Sequence, residues 1–325
     1  MKGLEIIMTK YRHDLPQVKG GLFLSDGGME TALIFQEGIE LPHFASFVLL
    51  QQPEGRQSLK QYYRRYLAIA RDHGTGFVLD TATWRANNDW GEKLGYDKDT
   101  LRAANESSVA LLSELRREYE RPQAPIVISG TIGPRGDGYK AGIMSAAEAE
   151  DYHAEQIEVF AGTDADMVTA FTLTGIDEAI GIASAAAKTH MPCVISFTVE
   201  TNGRLVTGPT LGEAIESVDA ATNAAPAYYM INCAHPSHFE GALAHDSGWI
   251  KRIAGLRANA SKMSHTELDD SDTLDAGDPV DLGRRYSSLL SRMPQMRVLG
   301  GCCGTDHRHI AAICDACLPQ RAATA

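Results

Sequence analysis

Short apolar, β-branched runs recur along the chain, each following a turn signal: Leu22–Ser25, Phe77–Thr83, Ile126–Gly130, Met167–Leu173, Cys193–Val199, Ala227–Asn232, Ile253–Ala258 and Arg297–Gly301. Between them lie stretches of helical period. Ser58–Arg71 is typical, with Leu59, Tyr62, Tyr63, Tyr66, Leu67 and Ala70 on one face, and Thr100–Tyr119, Ala146–Ala161, Ile176–Lys188, Leu211–Asn223, His238–Lys251, Val280–Ser291 and Ile310–Leu318 follow. Strands that alternate with helices pair in parallel through right-handed crossovers, and eight such units close into a (β/α)8 TIM barrel of a single domain. An open doubly wound sheet is the rival.

Against that rival stands the placing of the unusual residues, which gather at the C-terminal ends of the predicted strands: Asp26-Gly27-Gly28, Thr83-Trp84, Gly133-Pro134, Thr198, Asn232-Cys233, Asn259 and Gly301-Cys302-Cys303-Gly304. In a barrel those ends form the one face on which active sites are built. The boundaries expected are an N-terminal extension over 1–21, the barrel over 22–318 and a C-terminal tail over 319–325. Ser264–Pro279, rich in Asp, Ser and Thr, reads as a long floppy loop after the seventh strand.

Composition narrows the partners. The 325 residues carry 30 Lys+Arg against 42 Asp+Glu, a net charge of −12, with the basic residues scattered, so neither nucleic acid nor an anionic membrane is an expected partner. A small molecule is. Apolar runs such as Ala179–Ala187 are too short to span a bilayer, and the stretch around Leu4, Ile6, Ile7 and Met8 is too brief for a signal sequence. The expected location is cytoplasmic, with reduced thiols. Six cysteines there point to metal binding or catalysis rather than to a disulfide framework.

Cys302 and Cys303 are flanked by glycines that let the backbone bend both side chains toward one point. A barrel would bring Cys233, in Ile231-Asn232-Cys233-Ala234-His235-Pro236, close to them. Three thiolates suit zinc, and three protein ligands leave a fourth position open, which is the catalytic pattern. Three alternatives stand beside this: cysteines that simply pack as small hydrophobes, a four-cysteine set of Cys302, Cys303, Cys314 and Cys317, and a purely structural zinc site. Cys193, Cys314 and Cys317 sit in apolar segments and read as core. His235, His238, His307 and His309 read as loop or surface residues rather than ligands.

Four segments together resemble the homocysteine S-methyltransferase family of zinc-thiolate barrels. They are Leu24-Ser25-Asp26-Gly27-Gly28-Met29-Glu30-Thr31, Gly130-Thr131-Ile132-Gly133-Pro134, the Asn232-Cys233 segment and Gly300-Gly301-Cys302-Cys303-Gly304-Thr305. The resemblance implies that Cys233, Cys302 and Cys303 ligate Zn2+ and that a substrate thiol, activated by the metal, needs no further catalytic residue. It implies methyl transfer from a small onium donor, such as S-methylmethionine, S-adenosylmethionine or a betaine, to homocysteine, forming methionine. Asp26, Gly27 and Gly28 would meet the amino-acid end of the acceptor, Trp84 an onium donor, and Asn232 and Asn259 the rim of the pocket or the groups behind the metal. A homo-oligomer is compatible with this reading.

One position departs from the family pattern. Where the family carries a Glu that pairs with the substrate's α-ammonium group, this chain has Phe171. The same chemistry on a different thiol acceptor therefore stands as an alternative, as does a zinc- or thiol-binding barrel without turnover. Glu200 is a candidate replacement carboxylate.

Overall fold

The computed structural model describes residues 9–244 and 247–322. Eight strands run β1 (Phe23–Leu24), β2 (Gly76–Asp80), β3 (Ile126–Ile132), β4 (Met167–Leu173), β5 (Cys193–Phe197), β6 (Tyr228–Asn232), β7 (Ile253–Ala258) and β8 (Val298–Gly301). Each pairs in parallel with the next, and β8 pairs back onto β1 through Phe23↔Val298 and Leu24↔Leu299. The sheet is thus a closed (β/α)8 barrel, which excludes the open alternative.

Alternation along each strand divides the core in two. Phe23, Val78, Val127, Met167, Phe171, Val194, Tyr228, Met230 and Val298 fill the barrel interior. Neighbours such as Leu24, Leu79, Ile128, Ile195 and Leu299 pack outward on the helices. Strands buried on both faces need apolar residues at every position, which is why they read as continuous runs.

The helices over Pro53–His73, Lys98–Tyr119, Ala146–Ala161, Ile176–Lys188, Leu211–Thr222, Pro279–Arg292 and His307–Ala322 surround the barrel. The helix expected over His238–Lys251 does not form; residues 245–246 of that span lie outside the described residues. A short helix, Pro236–Phe239, starts earlier on Pro236 with the His235 ring as its cap, and a 3-10 turn covers Gly248–Arg252. Gly241 and Gly248 interrupt the apolar period, each at a helix cost of about 1 kcal/mol.

Before β1 the chain closes the bottom of the barrel, where Leu15 joins the interior cluster and Tyr11 packs against it. The apolar stretch 4–8 lies outside the described residues. Half-buried Arg12 donates to the carbonyls of Ala161 (2.9 Å), Thr163 (2.9 Å) and Ala165 (2.7 Å), just beyond the Ala146–Ala161 helix. Hydrogen bonds from a charged group are worth about 1.5–3 kcal/mol. Arg12→Ala is therefore expected to lower unfolding free energy by about that amount in urea titration without changing the barrel's circular dichroism. An unchanged urea midpoint would show that this clip contributes nothing.

Candidate active site

A cavity of about 460 Å³ opens at the C-terminal ends of the strands. Asp26, Gly27, Gly28, Trp84, Phe171, Asn232, Cys233, Cys302 and Cys303, separated by up to 277 positions in sequence, all line it. Asn259 does not, and Glu200 does not. Instead, Asn259 donates from Nδ2 to the Cys233 carbonyl (3.0 Å), and Glu200 pairs with Nδ1 of His265 (3.0 Å).

The ligand atoms of Cys233, Cys302 and Cys303 lie within 4.8 Å of one another, a set that could hold a metal ion. Sulfurs that converge on one point are also within reach of each other. Cys233 and Cys302 are paired as a disulfide, with Cα atoms 5.4 Å apart, where the sequence predicts reduced thiols. The Cys303 sulfur stands 4.0 Å from that of Cys233. The four-cysteine alternative is not assembled: Cys314 and Cys317 lie buried in the hydrophobic core with the His307–Ala322 helix.

Local backbone geometry brings the sulfurs together. Cys233 has φ of +53°, a left-handed conformation that costs a non-glycine residue energy. Three donors hold its carbonyl in place: His265 Nε2 (2.7 Å), Asn259 Nδ2 (3.0 Å) and Thr198 Oγ1 (3.3 Å). On the opposite side, a Cβ on Gly28 would stand 2.5 Å from the Cys302 carbonyl oxygen, so only glycine lets the end of β1 approach this turn.

Behind the sulfurs lies Asn232, locked by bonds from the Thr172 amide (2.9 Å) and Ser196 Oγ (2.7 Å) to its Oδ1. Its Nδ2 is 3.9 Å from the Cys302 sulfur, and Thr172 Oγ1 is 3.8 Å from that of Cys233. On the cavity side, the Tyr139 hydroxyl is 3.6 Å from the Cys303 sulfur, and its ring stacks on His265 at 4.0 Å. Burial pushes the Cys303 thiol up, so a nearby cation is needed to hold it as thiolate. With the Cys233–Cys302 pair reduced, three soft donors with polar groups directed at them fit a zinc-type ion.

The floor of the cavity is ionic. Arg257, the one charge in β7, places Nη2 2.6 Å from Asp26 Oδ1 and Nη1 2.5 Å from Asp80 Oδ2. Tyr62 donates a further bond to Asp26 Oδ2 (3.0 Å). Burial raises both carboxyls and Arg257 opposes that rise. Asp26 is therefore committed to an internal cation rather than open to a substrate ammonium. Phe171 lies beside it, its ring centre 5.0 Å from the Arg257 guanidinium carbon. Trp84 lines the wall, but one ring face is covered by Arg85 at 4.1 Å and cannot receive a cationic donor.

Sequence reasoning missed Tyr139, His265, Asp80, Arg85 and Arg257. Arg257 carried a readable signal, since a lone charge inside an otherwise apolar buried strand requires a buried partner. The loop expected over Ser264–Pro279 is more ordered than its composition suggests. Ser264 and Glu267 form a reciprocal cap on the short helix His265–Asp269, and Leu268–Asp275 contribute to the cavity wall. Of the histidines, His235 and His309 are buried rather than superficial. His235 caps the Pro236–Phe239 helix, its pKa pulled down to about 4 chiefly by burial, and His309 bonds Asp306 and the Ala276 carbonyl.

A closed eight-stranded barrel with three convergent sulfurs at its C-terminal face defines a class: barrel enzymes whose pocket gathers thiol sulfur. Within that class the chain belongs to the homocysteine S-methyltransferase family, whose profile matches residues 23–317. It is 25% identical over 321 residues to the homocysteine S-methyltransferase of Escherichia coli, covering 91% of this chain and 95% of that one. It is also 22% identical to a selenocysteine Se-methyltransferase of Brassica oleracea var. italica over 70% of each chain. The fold is shared with the E. coli homocysteine methyltransferase, solved in a metallated form (TM-score 0.69, 20% identity, 91% and 96% of the two chains) and an oxidised form (TM-score 0.71, 21% identity, the same coverage). The chain is thus a methyltransferase, which takes a small methyl donor and a thiol acceptor. No described helix is long and apolar enough to cross a membrane.

Proposed function

We propose that the protein is a zinc-dependent thiol S-methyltransferase, with Cys233, Cys302 and Cys303 as the protein ligands of Zn2+ and the catalytic barrel spanning 22–318. The observation that carries the metal assignment is the convergence of three sulfurs within 4.8 Å at the wall of the cavity. Zinc bound there would stabilise a substrate thiol as thiolate at neutral pH. The chain's own residues do the rest. Asn232 and Thr172 fix the sulfurs from behind, Tyr139 stands against Cys303 on the cavity side, and the loop over Leu268–Asp275 supplies part of the cavity wall. Alignment of donor and acceptor for in-line displacement is then the cavity's main task.

Methyl transfer to homocysteine, giving methionine, is the family's reaction and the first reading for this chain. Its donor is a small onium compound of the S-methylmethionine, S-adenosylmethionine or betaine type. A second reading, the same transfer to another thiol, is favoured by one feature of the floor: Phe171 is apolar and the Asp26 carboxylate beside it is already paired with Arg257.

Zinc K-edge absorption on the metal-loaded protein tests the common core of both readings. Three sulfur neighbours are expected in the resting protein and four after addition of the accepted thiol. Fewer than three at the outset would remove the ligand assignment. Three that stay three with every thiol would remove the acceptor role.

A further inference from the structure

Glu30 lies in the first turn of the short helix Met29–Phe35, directly after the Asp26-Gly27-Gly28 turn, and lines the same cavity as the three cysteines. Ser46 Oγ donates to its Oε1 (2.8 Å). Among the described residues no Lys, Arg or His nitrogen forms an ion pair with it, and burial pushes its carboxyl up. The two guanidiniums that line the cavity are held by other groups. Arg257 is gripped by Asp26 (2.6 Å) and Asp80 (2.5 Å). Arg85, which feels the charges of Asp137 and Glu30, lies between the rings of Trp84 and Trp90 and donates from Nη1 to the Gly136 carbonyl (2.9 Å).

Acid outweighs base around this cavity. Asp26, Glu30, Asp80, Asp137, Asp269 and Asp275 line it against Arg85 and Arg257, six carboxyls to two guanidiniums. A recessed carboxylate without a cation in contact is costly, and a ligand cation would offset the cost. Thr131, only 4% exposed, lines the same cavity with its Oγ1 buried and without a hydrogen-bond partner, so the pocket is suited to a ligand with polar groups of its own.

The placing of Glu30 selects the cation. Its charge acts on the Cys303 thiol, and it is itself acted on by Asp26 and Arg257 at the floor. Arg257 is also the guanidinium beside the Phe171 ring, at 5.0 Å. A short thiol held at the sulfurs therefore extends its chain into the field of Glu30. A sulfonium or quaternary ammonium carries no N–H, whereas a primary ammonium presents three donors to a carboxylate. In an in-line transfer the donor enters methyl group first, which keeps its own chain on the far side.

Resting on the thiol-methyltransfer reading above, we propose that the acceptor is an amino-acid thiol of the homocysteine type and that Glu30 binds its α-ammonium group, which the Phe171 ring cannot do.

Calorimetry on the zinc-loaded protein tests this with homocysteine and with 4-mercaptobutanoate, which is homocysteine without its amino group. Homocysteine is expected to bind at least about 10-fold tighter. Glu30→Gln is expected to weaken homocysteine by roughly 10- to 100-fold and leave 4-mercaptobutanoate within about 2-fold, with Glu30→Asp recovering part of the loss. Asp269→Asn removes a carboxylate from the same cavity wall and is expected to leave the preference between the two thiols unchanged. Circular dichroism controls for folding. Should Glu30→Gln not fold, Ser46→Ala loosens the same carboxylate and is expected to weaken homocysteine selectively by roughly 3- to 10-fold.

Equal binding of the two thiols by the unsubstituted protein would overturn the acceptor class. Equal weakening of both by Glu30→Gln, an equal loss of preference in Asp269→Asn, or weakening of S-methylmethionine in place of homocysteine would overturn the role of Glu30. If neither thiol binds the zinc-loaded protein, the thiol-acceptor reading itself fails and the role of Glu30 falls with it, an outcome distinct from the others.

Discussion

Alanine at Cys233, Cys302 or Cys303 is expected to remove stoichiometric zinc and cut methyl transfer by a few hundred-fold or more, while the barrel stays folded. Structural zinc sites bind with about 10–16 kcal/mol, so one ligand in four is worth on the order of 3–4 kcal/mol, or two to three powers of ten in affinity. The fold should survive because the three sulfurs stand at the wall of an open cavity, whereas the core is built from Leu, Ile, Val and Tyr side chains elsewhere. Metal content per chain, measured beside circular dichroism, checks the expectation. Any single variant that keeps one zinc per chain excludes that cysteine as a ligand. Cys314→Ala is the internal control. It empties part of the core behind the His307–Ala322 helix and lowers stability, yet leaves zinc untouched.

How much of this was readable beforehand depended on whether a feature was local or assembled. The strands were legible because a parallel barrel buries both strand faces. Met167–Leu173 and Ile253–Ala258 therefore stand out as apolar runs with the same bounds in sequence and structure. The cysteine triad was legible because a Gly-Gly-Cys-Cys-Gly turn is rare and barrel topology dictates which strand ends meet. Arg85, Arg257 and Tyr139 were not legible as a set. Each is a single residue without a motif, and its meaning comes from a partner 50 to 230 positions away, such as Gly136 for Arg85 and Gly27 for Arg257. Asp26 shows the same limit from the other side. Its motif lies at the cavity, but that its charge is taken up by Arg257 depends on packing across the barrel.

That internal neutralisation carries the other large effect. Arg257→Leu is expected to lower unfolding free energy by about 3–5 kcal/mol, the usual penalty for leaving buried charge without its partner. Two carboxylates, Asp26 and Asp80, would then face each other, and the Nε bond to the Gly301 carbonyl (3.0 Å) and the Nη2 bond to that of Gly27 (3.1 Å) would also go. The sign of the pH dependence follows from the direction of the shifts. Burial already raises both carboxyls and Arg257 opposes the rise, so its loss moves them further above their unfolded values. A raised carboxyl favours folding while it is protonated and ceases to do so as pH climbs through its folded pKa. The deficit relative to the unsubstituted protein should therefore be larger at pH 8 than at pH 5 in urea unfolding. Equal deficits at both values would mean that lost packing against Phe171, rather than unpaired charge, dominates. Asp80→Asn added to Arg257→Leu sharpens the test, because removing one of the two stranded carboxylates should restore part of the stability, a non-additivity expected of groups in one ionic cluster.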